Sequence, residues 1–262
     1  MIAMGICALL GIALPVALAW WLVKKHKARL TTILIGACVF IVFALVLESI
    51  VHQIVLKGPH GQTILGNIWY YALYGGLAAG IFEETGRFLA MKFLMKKETS
   101  DALPAVAYGL GHGGAEMLLI FGVTMISNIV LSAMINTGAA DTLLATAPAE
   151  ALDQVQAQFE QLETATAGSF FLGIWERLSA LILQIGLSIL VWTAVRKGGR
   201  WLWLFPAAIL LHFLVDGCAV VLSKNASMVF TELVVFAMAL AVGAGGFLLA
   251  RKLNQDTNRQ VI

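Results

Sequence analysis

Charge is scarce in this sequence. Asp, Glu, Lys and Arg make up 12% of its 262 residues, against 60% hydrophobic residues and a mean hydropathy of +0.88, whereas a soluble domain carries about a quarter charged residues. That shortage excludes an ordinary water-soluble domain and points to a bilayer. An excess of one sign is missing too. The net charge is only +2 and the basic residues gather at the ends of hydrophobic runs, so no nucleic-acid partner is implied. Cysteine is nearly absent: Cys7, Cys38 and Cys218 stand apart in apolar runs, which supports neither a disulfide framework nor a Cys-based zinc site. No Pro-, Gly- or Ser-rich linker interrupts the chain, so residues 1–262 read as one domain. Nor is there an internal repeat, and an inverted-repeat transporter gains no direct support.

What the sequence has in quantity is apolar runs. About twenty apolar residues cross the hydrocarbon core, and that rule predicts seven spans, near 2–23, 31–55, 64–94, 104–136, 169–195, 201–222 and 228–250. The expected fold is an all-α, polytopic membrane helical bundle, a multi-pass protein of the cell membrane. The first run lacks the basic start of a cleaved signal and reads as a retained span. Lys24, Lys25, Lys27 and Arg29, then Lys92, Lys96 and Lys97, then Arg196, Lys197 and Arg200, and finally Arg251, Lys252 and Arg259 fall at alternate ends of these spans, while the opposite ends carry only Lys57 and Lys224. The positive-inside rule then puts the N-terminus outside and the C-terminus in the cytoplasm. Trp20, Trp21, Trp69, Trp175, Trp201 and Trp203 sit near predicted ends, as interfacial anchors do. The longest polar connection, about 137–168, holds Asp141, Glu150, Asp153, Glu160 and Glu163 with no Lys or Arg, and is expected outside. Within it Pro148 opens a segment where Leu152, Val155, Phe159 and Leu162 recur at helical spacing, predicting an amphipathic helix.

Against that apolar background a few ionisable residues stand out. An ionised side chain at mid-membrane costs at least ~2.5–3.5 kcal/mol, so it faces a cavity or a partner. The third predicted span carries Glu83, Glu84 and Arg87, the fourth His112 and Glu116, and the sixth His212 and Asp216. Residues four apart share a helix face, so each His is expected beside its own carboxylate. Neighbouring residues point about 100° apart, so only one of Glu83 and Glu84 aims straight at a shared centre, leaving the other for Arg87. At ~1.5 Å per residue these groups lie roughly 12–22 Å from the basic ends, on one level of three helices. Gly109, Gly111, Gly113 and Gly114 around His112 either let helices approach closely or leave room for a substrate strand.

A carboxylate and a histidine can activate a water as nucleophile, and a second histidine can stabilise the oxyanion. The same groups are good zinc ligands, so the cofactor is either none or one Zn2+, with Glu83, His112, Glu116, His212 and Asp216 as candidate ligands. There is no His-Glu-x-x-His helix, and no Ser or Cys in a nucleophile context. Further from the shared level, Glu176 with Arg177 reads as a charge pair near the outer interface, Gln184 as a bond to a neighbouring helix, and Glu48 with His52 as a packing or interfacial pair. Two rival functions use the same composition. A proton- or ion-coupled transporter also needs acids and histidines at mid-membrane, and a catalytically silent scaffold would survive loss of Glu83 and His212.

These motifs carry a resemblance. Glu83-Glu84-Thr85-Gly86-Arg87 resembles EExxR, Tyr108 to His112 resembles FxxxH with Tyr for Phe, and His212 to Asp216 resembles HxxxN/D. In that order, on separate spans, they resemble the CAAX-protease and bacteriocin-processing superfamily with its PrsW relatives, and most closely the YhfC-type membrane peptidases. The resemblance implies a glutamate-dependent intramembrane endopeptidase acting on a membrane-embedded or lipidated peptide, with membrane lipid as its surroundings and its site open toward the cytoplasmic half. By motif, Glu83 is the general base, His112 orients the water, His212 and Asp216 hold the oxyanion, and Glu84 and Arg87 support. Asp216 departs from the pattern, since an ionised Asp repels an oxyanion where Asn donates to it. Either Asp216 is protonated, or it orients His212, or it helps bind a metal.

Overall fold

The computed structural model of the chain describes residues 1–146 and 148–260, and the side chains of Glu150 and Arg259, counted above, lie outside what it describes. Among the described residues all regular structure is helical. Helix α1 runs Ile2–His26, α2 Leu30–Leu56, the short α3 Gly61–Leu65, α4 Ile68–Phe93, α5 Leu103–Thr137, α6 Ala140–Thr146, α7 Ala149–Thr164, α8 Ala167–Lys197, α9 Leu204–Asn225 and α10 Met228–Gln260. Six of these runs are long and apolar enough to cross a membrane, with the residues before α9 from Gly199 counted into that span. The seventh expected span, α4, has 26 residues and is long enough, but Glu83, Glu84, Arg87 and Lys92 make it more polar than the others. It also starts later than expected: Gly66 separates it from α3, and the Asn67 side chain caps its first turn through the Trp69 amide at 2.9 Å, as a short polar side chain does at a helix N-terminus.

One helix organises the bundle. The most apolar window of α8 is 72% buried, against 17–28% for the other five candidate spans. A helix that is apolar all round belongs in the middle, and α8 packs against α10, α5, α9, α4 and α1. Leu187, Val191 and Trp192 on α8 anchor the main core together with Met91, Tyr108, Val215 and Ala239. The outer faces of α1, α2 and α10 present Leu9, Ile54 and Leu248, the pattern expected where lipid rather than water is the surrounding solvent.

Two helices touch at their backbones. A Cβ on Gly36 of α2 would sit 2.1 Å from the Tyr108 carbonyl oxygen, and one on Gly111 of α5 would sit 1.9 Å from that of Ile33. Gly109 and Gly113 face α8 less tightly, with a Cβ 2.7 Å from Ile185 Cα and 3.0 Å from Leu181 Cδ1, and Gly114 faces Pro15 of α1. The glycine-rich stretch around His112 therefore serves close helix packing on three sides. Two π-helical segments interrupt the α-geometry: Ile41–Glu48 within α2 and Met117–Gly122 within α5. One ends at Glu48 and the other begins directly after Glu116. The amphipathic helix expected after Pro148 is α7, whose Phe159 is buried and whose Leu162 packs on a cluster formed by Met4, Cys7, Phe121 and Met125. All three cysteines are free.

Candidate functional site

The ionisable residues of α4, α5 and α9 meet in one network beside α8. Glu83 Oε2 lies 2.8 Å from His112 Nε2 and 3.9 Å from His212 Nε2. A carboxylate only accepts, so His112 donates through Nε2. Glu84, one residue on, turns away from Glu83 and meets the other imidazole: His212 Nδ1 lies 2.8 Å from Glu84 Oε1, and Arg87 Nη1 lies 3.1 Å from the same oxygen. Each of the two adjacent glutamates thus hydrogen-bonds one histidine, and Glu83 also faces the second. Glu84, Arg87 and His112 are fully buried, and Glu83 and His212 nearly so. His112 is boxed by the edge of Phe40, at 5.2 Å between ring centroids, and by the buried ring of Tyr108.

The i,i+4 pairs behave differently from one another. His212 Nε2 lies 3.5 Å from Asp216 Oδ2, so that expected pair forms. His112 instead turns to Glu83, and Glu116 turns to Arg177 at 2.8 Å. Arg177 also pairs with Glu176; the charge pair read at the outer interface therefore reaches inward to the cluster.

Gln184 joins the parts. Its Nε2 donates to Glu83 Oε2 at 3.0 Å and to Glu116 Oε2 at 3.2 Å, while its Oε1 accepts from Arg87. As a residue of α8, the one helix in contact with all the others that carry the cluster, it can reach three charged side chains at once. Gln184 thus makes the expected bond to a neighbouring helix, and makes it to two of them.

The cluster is dry on one side and open on the other. The Asp216 side chain is 38% exposed, against 0% for His112, Glu84 and Arg87. It lines a cavity of about 280 Å³ together with Glu116, Arg177, Ser223 and Glu232. Ser223 and Glu232 sit at the end of the bundle opposite the Lys- and Arg-rich ends, so this cavity extends away from the basic ends.

The sequence profile described as YhfC intramembrane metalloprotease matches residues 10–239. The chain belongs to the YhfC family. A Bacillus subtilis (strain 168) protein described as uncharacterized membrane protein YhfC is 42% identical over 214 residues, which cover 81% of each chain. No solved structure matches. The YhfC family's description implies a metal, and the residues of the cluster bear on whether they fit one. Tetrahedral zinc with Zn–N and Zn–O near 2.0–2.2 Å sets its ligand atoms about 3.3–3.6 Å apart; the His212–Asp216 separation of 3.5 Å matches that value, while the separations of 2.8 Å from His112 to Glu83 and 3.9 Å from His212 to Glu83 fall on either side of it. The Glu84 bond to His212 Nδ1 is the carboxylate support that a metal-binding imidazole receives. Among the described residues, however, no three His, Cys, Asp or Glu side chains form a metal-holding group, and the imidazoles and carboxylates are hydrogen-bonded to each other. The donor types fit a zinc ion, and binding one would replace the bond from His112 to Glu83.

Proposed function

We propose that this YhfC-family protein is an intramembrane endopeptidase that hydrolyses a peptide bond of a membrane-embedded or lipidated substrate. The observation that carries the reading is that two histidines from separate spans face one oxygen of Glu83 inside the bundle. Glu83 takes a proton from water as its oxygen attacks the carbonyl carbon, and returns a proton to the leaving amine when the C–N bond breaks. His112 and Gln184 hold the carboxylate in place. His212, oriented by Glu84 and Arg87, meets the oxyanion. Asp216, at the wet edge, faces the incoming peptide. The family's description as a metalloprotease supports a metal, held by His112, His212 and Asp216 in place of the His112–Glu83 bond, that when bound would polarise the carbonyl and acidify water, with Gln184 still holding Glu83. Residues 1–262 then act as one domain, with the N-terminus outside and the C-terminus in the cytoplasm. The transporter reading would draw on discontinuous helices; the spans here are continuous, and the peptidase reading is preferred.

The test is cleavage of a membrane-peptide library by detergent-purified wild type, Glu83→Gln and His112→Ala, with elemental analysis beside it. Cleavage abolished in both folded variants is expected. About one zinc per chain, lost with His112, makes the enzyme a metallopeptidase; full activity without metal makes it glutamate-dependent. Unchanged cleavage in Glu83→Gln would overturn the reading.

A further inference from the structure

A second cavity, of about 500 Å³, lies at the basic end of the bundle between the ends of α8 and α10. It is thirteen residues along α8 from Gln184, about 20 Å away, and the mechanism above makes no use of it. We propose that it holds the phosphate-bearing headgroup of an anionic phospholipid.

One wall residue, Trp201, gathers positive charge around its ring. Lys252 Nζ lies 4.8 Å from the centroid of Trp201, Lys197 Nζ 4.9 Å and the Arg200 guanidinium 5.7 Å. The indole face attracts each cation, but it does not cancel their repulsion of one another. Of these, Lys197 lines the cavity itself, Lys252 and Arg200 adjoin it through the lining Trp201 ring, and Arg196 is a second lining cation. Its guanidinium stacks on Trp192 at 4.8 Å and is held by the Glu98 carbonyl at 2.6 Å and by Ser100 Oγ at 3.0 Å.

Nearby acids do not balance this charge. Asp256 is the carboxylate that lines the cavity, and it pairs with Lys197. The Glu98 carboxylate is turned to the far side, where it accepts from Thr32 at 2.7 Å and meets Arg29 at 3.4 Å. Asp101 Oδ1 accepts from the Leu103 amide at the start of α5. Among the described residues, two lining cations and two more on the lining Trp201 ring thus stand against one lining carboxylate.

The chain is shaped to bring these cations together. Gly198 and Gly199 both have positive φ, +60° and +52°, which side chains rarely adopt. A Cβ on either would meet nothing within 4 Å, so these glycines serve the turn rather than packing. The turn folds Arg200 and Trp201 back over Lys197. Lys252, near the end of the α10 span, completes the group at the level where Trp rings and lipid phosphates meet. Orientation of the chain needs basic residues only on this side; it does not need them gathered on one indole that lines a cavity.

The test uses purified full-length protein in phosphatidylcholine vesicles containing increasing phosphatidylglycerol, with the lipid retained after extraction counted by native mass spectrometry. The variants are Lys197→Gln/Lys252→Gln, the single exposed change Lys252→Gln, and the control Lys24→Gln/Lys25→Gln, which removes equal charge elsewhere at the same end. One retained phosphatidylglycerol per wild-type chain is expected, weakened about tenfold in the double variant, less in the single one, and unchanged in the control. Lys252→Gln keeps the test informative if the double variant fails to fold. Equal weakening in the control, or no preference over phosphatidylcholine, would overturn the proposal. So would occupancy by inorganic phosphate in lipid-free detergent at the same affinity, which would make this a site for the free anion.

Discussion

Gln184 is an uncharged side chain on which three charged ones depend. Replacing it by Leu leaves Glu83, Glu116 and Arg87 each short of a hydrogen bond in a buried setting, at about 1–3 kcal/mol per unsatisfied group. Gln184→Leu is therefore expected to lower the melting temperature in detergent and to reduce peptide cleavage more than tenfold, and Gln184→Asn to do so less; thermal unfolding and cleavage assays on the same samples check this. The Glu84–Arg87 pair allows a sharper experiment. Losing one partner of a fully buried pair costs about 3–5 kcal/mol, whereas removing both is far milder. Arg87→Met alone should destabilise strongly, and Glu84→Gln/Arg87→Met should recover part of that loss in a double-mutant cycle; additive losses would mean that Glu84 and Arg87 act independently. At this scale the sequence disclosed which residues gather, because an ionisable group in an apolar run needs a partner. It did not disclose the pairings. Spacing of four puts Glu116 on the face of His112, yet Arg177 from another helix takes Glu116 and Glu83 takes His112. Which groups on neighbouring helices come close depends on how each helix is rotated, and no local spacing encodes that.

The contact of α2 with α5 is where an element's placement decides the chemistry. His112 follows Gly111, whose missing side chain lets the Ile33 carbonyl approach. Gly111→Ala should force the helices apart, cost about 1–3 kcal/mol or more as overpacking does, and move His112 off Glu83. Gly114→Ala, where a Cβ would meet only the Pro15 side chain at 3.1 Å, should be the milder change. Cleavage and unfolding of the two variants side by side decide this, and equal effects would mean that the backbone contact is unimportant. The long helices themselves were legible, since apolar length alone specifies a span. The π segments were not: Ile41–Glu48 and Met117–Gly122 are ordinary apolar runs apart from Glu48, and the wider turn is imposed by packing. Such turns favour functional sites, and here each adjoins a carboxylate.

For the whole molecule, the alternation of basic ends predicts an odd number of crossings. Reporter fusions should place the N-terminus outside and the C-terminus inside; both on one side would require an even number, and α4 would then be the helix to remove from the count. Six of the seven expected spans are recognisable by length and composition. The exception is α4, the helix bearing Glu83, Glu84 and Arg87, because residues suited to chemistry make a span more polar. If the reporter fusions place the N-terminus outside, the cavity beside Asp216 faces the exterior of the cell. A charged, membrane-impermeant carbodiimide added to intact cells should then modify Asp216 and stop cleavage without ever entering the cytoplasm, while the same reagent applied to sealed inside-out vesicles should leave activity unchanged. An inhibitor of this protein would need neither an uptake route nor solubility in lipid.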